Sequence, residues 1–329
     1  MHVHLEGTIE PDLILKLAKR NDVALPYDTV EAVRNGYQFH DLAQFLSIFY
    51  TGMRVIRTEA DFRDVTIAFL ERAAAENVVY TELHFSPQSH LERGVSWASM
   101  MDGILAGAHD AHRQFGIVAR PILGLQRHRT EENALETIEQ ALPYRENIIA
   151  LGLAGAEIGN PPSRFVKAFD RAREIGWRCT CHAGEEGPSS YITEAIDVLK
   201  VDRIDHGVRS VDDPALVQRL ADEQIPLTVC PYSNLRLNVV KALADIKLRR
   251  LLEAGCVVSA NTDDPSYFEA NLSQNILGSA EALDLSTAQV AEVIENGFRG
   301  AFCDDETKDG YLASLAKHWN GPDLRTDTG

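Results

Sequence analysis

Short β-branched runs alternate with longer amphipathic segments along almost the whole chain. Strand patterns fall at residues 3–5, 78–85, 117–124, 148–153, 177–182, 203–206, 225–230 and 256–261. Apolar positions recurring three and four residues apart predict helices over 58–76, 97–115, 130–142, 163–175, 190–199, 214–223 and 241–254. From the second strand onward a helical stretch follows each strand. That is the rhythm of a parallel sheet, whose neighbouring strands must be joined by a crossover. Eight such units predict an α/β protein, a closed (β/α)8 TIM barrel. Extra helices interrupt the rhythm after strand 1, over residues 11–77, and again at the C-terminus, where helical pattern resumes over 272–317. Within the first insert, residues 39–50 are apolar at helical spacing. Two readings of them stay open here: a core helix packed on the barrel, or a lid over its mouth. No repeat, low-complexity block or linker divides the chain, so residues 1–329 read as one domain with 321–329 as a flexible tail.

A chain of 329 residues, 45% hydrophobic and 25% charged, is long enough to bury a large core without staples. Its formal net charge of −17 argues against nucleic acid or an anionic membrane as partner, leaving a small molecule. No apolar run reaches the length of a membrane span, and the first residues carry no signal-peptide pattern. The five cysteines, Cys179, Cys181, Cys230, Cys256 and Cys303, are odd in number and mostly sit in strand-like runs. They read as reduced, buried thiols of a cytoplasmic protein rather than as a disulfide framework or a metal motif. Oligomeric state stays open at this point, a homo-oligomer included.

Barrel enzymes carry their chemistry at the C-terminal ends of the strands. Strand 1 supplies His2 and His4, which alternation puts on one face just before Gly7 lets the chain turn. Strand 5 ends in His182-Ala183-Gly184-Glu185, strand 6 in Asp205-His206-Gly207, and strand 8 runs into Thr262-Asp263-Asp264-Pro265. Three imidazoles, one carboxylate and an open position for water describe a catalytic divalent-metal site. Zinc and iron(II) both suit such donors. Residues 149–157 contain no lysine that could bridge two metals, so one ion per chain is expected.

These residues together resemble the adenosine/adenine deaminase family of the amidohydrolase superfamily. The marks are His-Val-His-Leu-Glu-Gly-Thr from His2, His-Ala-Gly-Glu from His182, Asp-His-Gly from Asp205 and Thr-Asp-Asp-Pro from Thr262. Phe85-Ser86-Pro87, Arg127-His128 and Cys230-Pro231-Tyr232-Ser233-Asn234 add weaker ones. The resemblance implies that His2, His4, His182 and Asp263 hold zinc. It implies that Glu185 protonates purine N1 and that His206 orients and helps deprotonate the attacking water. Asp264 then meets N7, and the Gly155 backbone N–H meets N3.

Motifs such as Glu185-Glu186-Gly187-Pro188 and Pro265-Ser266-Tyr267-Phe268 lean toward bacterial adenine deaminases. The chain departs from their pattern at Ser86, where an aspartate is usual, at Ala154-Gly155-Ala156-Glu157, and at Glu269-Ala270, where two glycines are expected. The implied reaction is hydrolytic deamination of a 6-aminopurine, adenine first and adenosine next. The alternative is a modified aminopurine such as an N6-substituted adenine or aminofutalosine. A purine-binding relative without catalysis is disfavoured, because His182, Glu185, His206, Asp263 and Asp264 are all present. Only Met1 precedes His2, which means either a sequence that starts late or an unusually short first strand.

Overall fold

Eight strands form one parallel sheet: β1 (Val3–His4), β2 (Tyr80–Phe85), β3 (Val118–Gln126), β4 (Ala150–Ala154), β5 (Arg178–Ala183), β6 (Arg203–His206), β7 (Leu227–Val229) and β8 (Val258–Ala260). They pair in sequence order from β1 to β8, and a parallel bridge between Val3 and Asp263 closes the ring. The computed structural model describes residues 1–319. The tail expected over 321–329 lies outside the described residues. No described helix is long and apolar enough to cross a membrane.

Four helices lie between β1 and β2: α1 (Pro11–Arg20), α2 (Val30–Asn35), α3 (Leu42–Gly52) and α4 (Glu59–Ala75). Around the barrel follow α5 (Pro87–Leu91), α6 (Trp97–Phe115), α7 (Glu131–Ala141), α8 (Val166–Ile175), α9 (Ser189–Asp197), α10 (Pro214–Asp222), α11 (Pro231–Arg236) and α12 (Leu248–Glu253). The chain ends in α13 (Pro265–Phe268), α14 (Leu272–Ala282), α15 (Thr287–Arg299) and α16 (Asp305–Trp319). Side-chain caps set several starts. Asp41 accepts from the Gln44 N–H at 2.8 Å, so helix begins after it and residues 39–41 stay outside. The helix expected over 241–254 is shorter, because Asp245 bonds back to the Ala242 N–H and Ile246 is extended.

Along the strands, one set of residues packs outward under the helices, among them Leu83, Leu151, Leu153, Ile204 and Val229. The other set fills the barrel, and it is polar. Glu82 on β2 meets Arg203 on the opposite strand β6 at 2.6 Å, and both are fully buried. His84, one pleat further along β2, lies over Gly152 of β4, where a Cβ would come within 3.0 Å of its Nδ1. A buried charge is tolerated only when paired. Here Glu82 also accepts the Phe302 N–H, and Arg203 also donates to Gly300 O at 3.1 Å.

Asp61 fastens the insert to itself. This fully buried carboxylate at the start of α4 accepts the N–H groups of Arg57 and Thr58, Arg20 Nη1 at 2.8 Å and Asn21 Nδ2 at 2.7 Å. Burial alone would push its carboxyl up, but these donors hold it below the ordinary value. Its contribution to stability is therefore complete above the unfolded value near ~4 and is lost as pH falls below it. We expect Asp61→Ala to lower unfolding free energy at pH 7 by about 2–4 kcal/mol, with a smaller gap at pH 3. Urea denaturation at the two pH values measures this, and a variant equal to wild type at pH 7 would contradict it.

Candidate metal centre at the barrel mouth

Four donor atoms from three strand ends converge where the ring closes. His182 Nε2 lies 3.1 Å from His2 Nε2 and 3.1 Å from His4 Nε2. Asp263 Oδ1 lies 3.4 Å from His2 Nε2 and 3.3 Å from His4 Nε2. Zinc–ligand bonds of about 2.0–2.1 Å in a tetrahedron put neighbouring donors about 3.3 Å apart. The spacing therefore fits one ion of that size, and all four residues are buried. His206 joins the same group, its donor atom within 4.8 Å of those of His2, His182 and Asp263.

Alternation along a strand would send consecutive residues to opposite faces. Two left-handed residues defeat it. His206 has φ +67° and Asp263 has φ +61°, conformations that cost a non-glycine residue of order 1–3 kcal/mol. Each turns the chain at a strand end so that a consecutive pair, Asp205-His206 or Asp263-Asp264, sits in the site. Ser233 of α11 donates its hydroxyl to Asp263 Oδ2 at 2.8 Å and fixes the carboxylate. Gly7 makes room for the other aspartate: a Cβ there would fall 1.8 Å from Asp264 Oδ1.

The charge states separate sharply. The imidazoles of His2, His4 and His206 outweigh burial and hold Asp263 well below the ordinary carboxylate range. Asp264 is pushed well up, chiefly by burial and with the adjacent Asp263 adding to it. Glu185 is likewise pushed well up, first by burial and then by Asp263 and Glu157. Burial drives His206 well below its ordinary value and His182 down to about 4. His4 rises to about 9 against burial, because Asp264, Asp263 and Glu6 face it. The site thus favours the ionised form at Asp263, the protonated form at Asp264 and Glu185, and the neutral form at His206, whose Nε2 is 3.5 Å from Glu185 Oε2. Groups with pKa values pushed apart are the usual basis of acid–base division of labour.

A cavity opens onto these groups. Ser86, Gly124, Gln126, Gly155, Glu185 and Asp264 contribute to its wall, and Leu42, Phe45, Leu46, Phe49 and Tyr50 of α3 cover it. The two readings of residues 39–50 are therefore both true of one helix. Phe45 and Phe49 are buried against Tyr267 and Phe268, while the same face roofs the cavity. Of the departures noted in the sequence, Ser86 and Gly155 line this cavity. Glu269 does not; it pairs with Arg236 at 2.6 Å.

Besides Ser233, three contributors went unassigned by sequence reasoning. Glu157, fully buried after β4, accepts the backbone N–H groups of Gly184, Glu185, Glu186 and Gly187 at 2.7–2.9 Å. Arg127, at the end of β3, donates to His182 O at 2.8 Å and lies 3.5 Å from Glu157. Thr228 of β7 lies beneath His2, its hydroxyl 3.0 Å from Nδ1. Arg127 and Glu157 stood in quoted motifs without a role. Thr228 gave no signal at all, being one threonine in a short buried strand.

Comparison with known proteins bears on the whole chain. The family model "Adenosine deaminase" matches residues 1–318. The adenine deaminase of Acinetobacter baylyi is 46% identical over 315 residues, 96% of this chain and 95% of that protein. The crystal structure of the adenine deaminase from Arthrobacter aurescens superposes with a TM-score of 0.95 at 43% identity, covering 97% of this chain and 98% of the other. An amidohydrolase from Burkhoderia ambifaria, with bound Zn, superposes at 0.89 and 28% identity, covering 97% and 89%.

The Glu157 contacts make a direct prediction. Glu157→Ala would strip four amides and Arg127 of a buried acceptor, so we expect a stability loss of about 3–5 kcal/mol. Amide hydrogen exchange over residues 184–187 should accelerate at least about tenfold, as these groups become open to local unfolding. Unchanged protection of those amides would refute the role.

Proposed function

The chain belongs to the adenosine deaminase family, and from that membership we propose that it deaminates adenine hydrolytically, giving hypoxanthine and ammonia. The observation that carries the reading is the meeting of His2, His4, His182 and Asp263 at 3.1–3.4 Å beside Glu185, a buried carboxyl pushed well above its ordinary range. The choice of adenine draws on the adenine deaminases that share 46% and 43% of its sequence.

We assign zinc to the four donors, in keeping with their spacing and with the Zn-bound amidohydrolase at 28% identity. A zinc ion there would act as a Lewis acid, supplying a hydroxide-like nucleophile near neutral pH. His206, neutral and aimed by its strand end, takes the proton of the attacking water. Attack at C6 pushes electron density onto N1, and Glu185, carrying a proton, donates it there. Asp264, also protonated, donates to N7, and the Gly155 N–H meets N3. As the C6–N bond breaks, the proton held by His206 leaves with ammonia. The remaining hydroxyl proton restores Glu185 as C6=O forms. A cytoplasmic setting accords with five cysteines that form no disulfide.

Purified, zinc-loaded protein should lower absorbance near the adenine maximum, and chelation should abolish this. Adenosine, N6-substituted adenines and aminofutalosine assayed in parallel test the choice of base, and a higher kcat/KM on any of them would overturn it. Glu185→Gln should keep its zinc while kcat falls by about 10²–10⁴-fold, since only the proton donor is lost. Near-normal turnover in that variant would remove Glu185 from the mechanism. Asp263→Ala should lose zinc as read by elemental analysis, and full occupancy would strike it from the ligand set.

A further inference from the structure

Beneath the donor set lies a buried carboxylate that the mechanism above does not use. Asp205 on β6 is fully buried. Its Oδ1 accepts the Thr228 hydroxyl at 3.0 Å, and Arg203 Nε approaches the same atom at 3.4 Å. Its Oδ2 lies 3.5 Å from His182 Nδ1 and 3.6 Å from His84 Nε2. Asp205 Oδ2 and His182 Nδ1 are both buried, and neither has a hydrogen-bond partner among the described residues, which leaves each the nearest polar atom for the other to face.

We infer that Asp205 is a positioning residue that orients two of the three metal-binding imidazoles, His182 through its Nδ1 and His2 through the hydroxyl of Thr228. The inference rests on the metal-site reading, and a count of protons carries it. The Thr228 hydroxyl donates its one hydrogen to Asp205 Oδ1. Toward His2 the Thr228 oxygen can then only accept, and His2 Nδ1, 3.0 Å away, must be the N–H donor. His182 Nδ1 facing Asp205 must likewise carry hydrogen. Both rings are thereby held in the tautomer that leaves Nε2 with a lone pair, and both Nε2 atoms point at the site, 3.1 Å apart. Outer partners of this kind fix ring orientation and raise ligand basicity. One carboxylate serving two ligands from two strands links the floor of the barrel to the donor set through both rings.

The test reads metal binding and not turnover, so it remains decisive if the substrate assignment fails. Zinc affinity is measured on the full-length protein by competition with a chromophoric chelator, and the ligand field by the visible spectrum after cobalt(II) substitution. We expect Asp205→Ala to weaken zinc binding by about 10–100-fold and to change the cobalt spectrum. Because Asp205→Ala also leaves Arg203 beside Glu82 alone, Thr228→Val is a second arm that removes only the His2 link. It should give a smaller loss with an altered spectrum, and Thr228→Ser, which restores the hydroxyl, should return both to wild type. Wild-type affinity and an unchanged spectrum in both Asp205→Ala and Thr228→Val would overturn the inference. Failure of the wild-type protein to bind zinc would overturn it together with the metal reading. Zinc binding without adenine turnover would sink the substrate alone.

Discussion

The seam of the barrel and the candidate metal centre are made of the same residues, and the rest of the site depends on that coincidence. β1 is only two residues long, and it closes the ring through His4 N–H to Asp263 O at 2.9 Å and Asp263 N–H to His2 O at 3.0 Å. Those bonds fix the backbones of His2, His4 and Asp263 relative to one another before any ion is present. His2 N–H is held in addition by Asn261 Oδ1 at 3.1 Å. The left-handed conformation of Asp263 is affordable in this setting because a ladder bond on each side over-determines it.

Polar residues fill a barrel interior that is more often packed with branched apolar side chains. A charged floor is stable only if each group is paired, and the chain Glu82–Arg203–Asp205–Thr228–His2 meets that condition from β2 across to β1. Pockets of like charge are avoided by the same network. Asp205 and Asp263 are pushed well below the ordinary carboxylate range, whereas Asp264 and Glu185, nearer the cavity, are pushed well above it. The apolar driving force is displaced outward, to the layer between strands and helices.

The architecture was legible because period-two and period-3.6 patterns alternate cleanly, and all eight strands fall where residues such as Val78–Phe85 or Trp177–His182 announced them. Edges shifted where caps such as Asp41 and Thr58 decide them, the first to Leu42 from the expected 39 and the second to Glu59 from 58. The donor residues could be read because glycine or proline follows each within a few positions, marking strand ends. Glu157, Thr228 and Ser233 could not, since what they do depends on partners 23 or more positions away in sequence: Glu157 serves amides 27–30 residues on, and Thr228 serves Asp205 across 23 and His2 across 226. Nothing local distinguishes such a residue from an ordinary buried polar one. The double duty of α3, core helix and roof, was likewise invisible, because the same apolar face satisfies both.

Glu157 has one more effect, on shape. By gripping the chain after β5 from its own place after β4, it ties the backbone that carries the Glu185 carboxyl to the segment that carries the Gly155 amide, like two jaws of one caliper. In the proposed pose those two jaws close on N3 and N1 of the purine, and the atom between them is C2. A base bearing an amino or oxo group at C2 would have to spread jaws that share a single anchor. The guanine-like purines should thus be excluded by stiffness at one edge of the ring, independently of anything the enzyme does at C6.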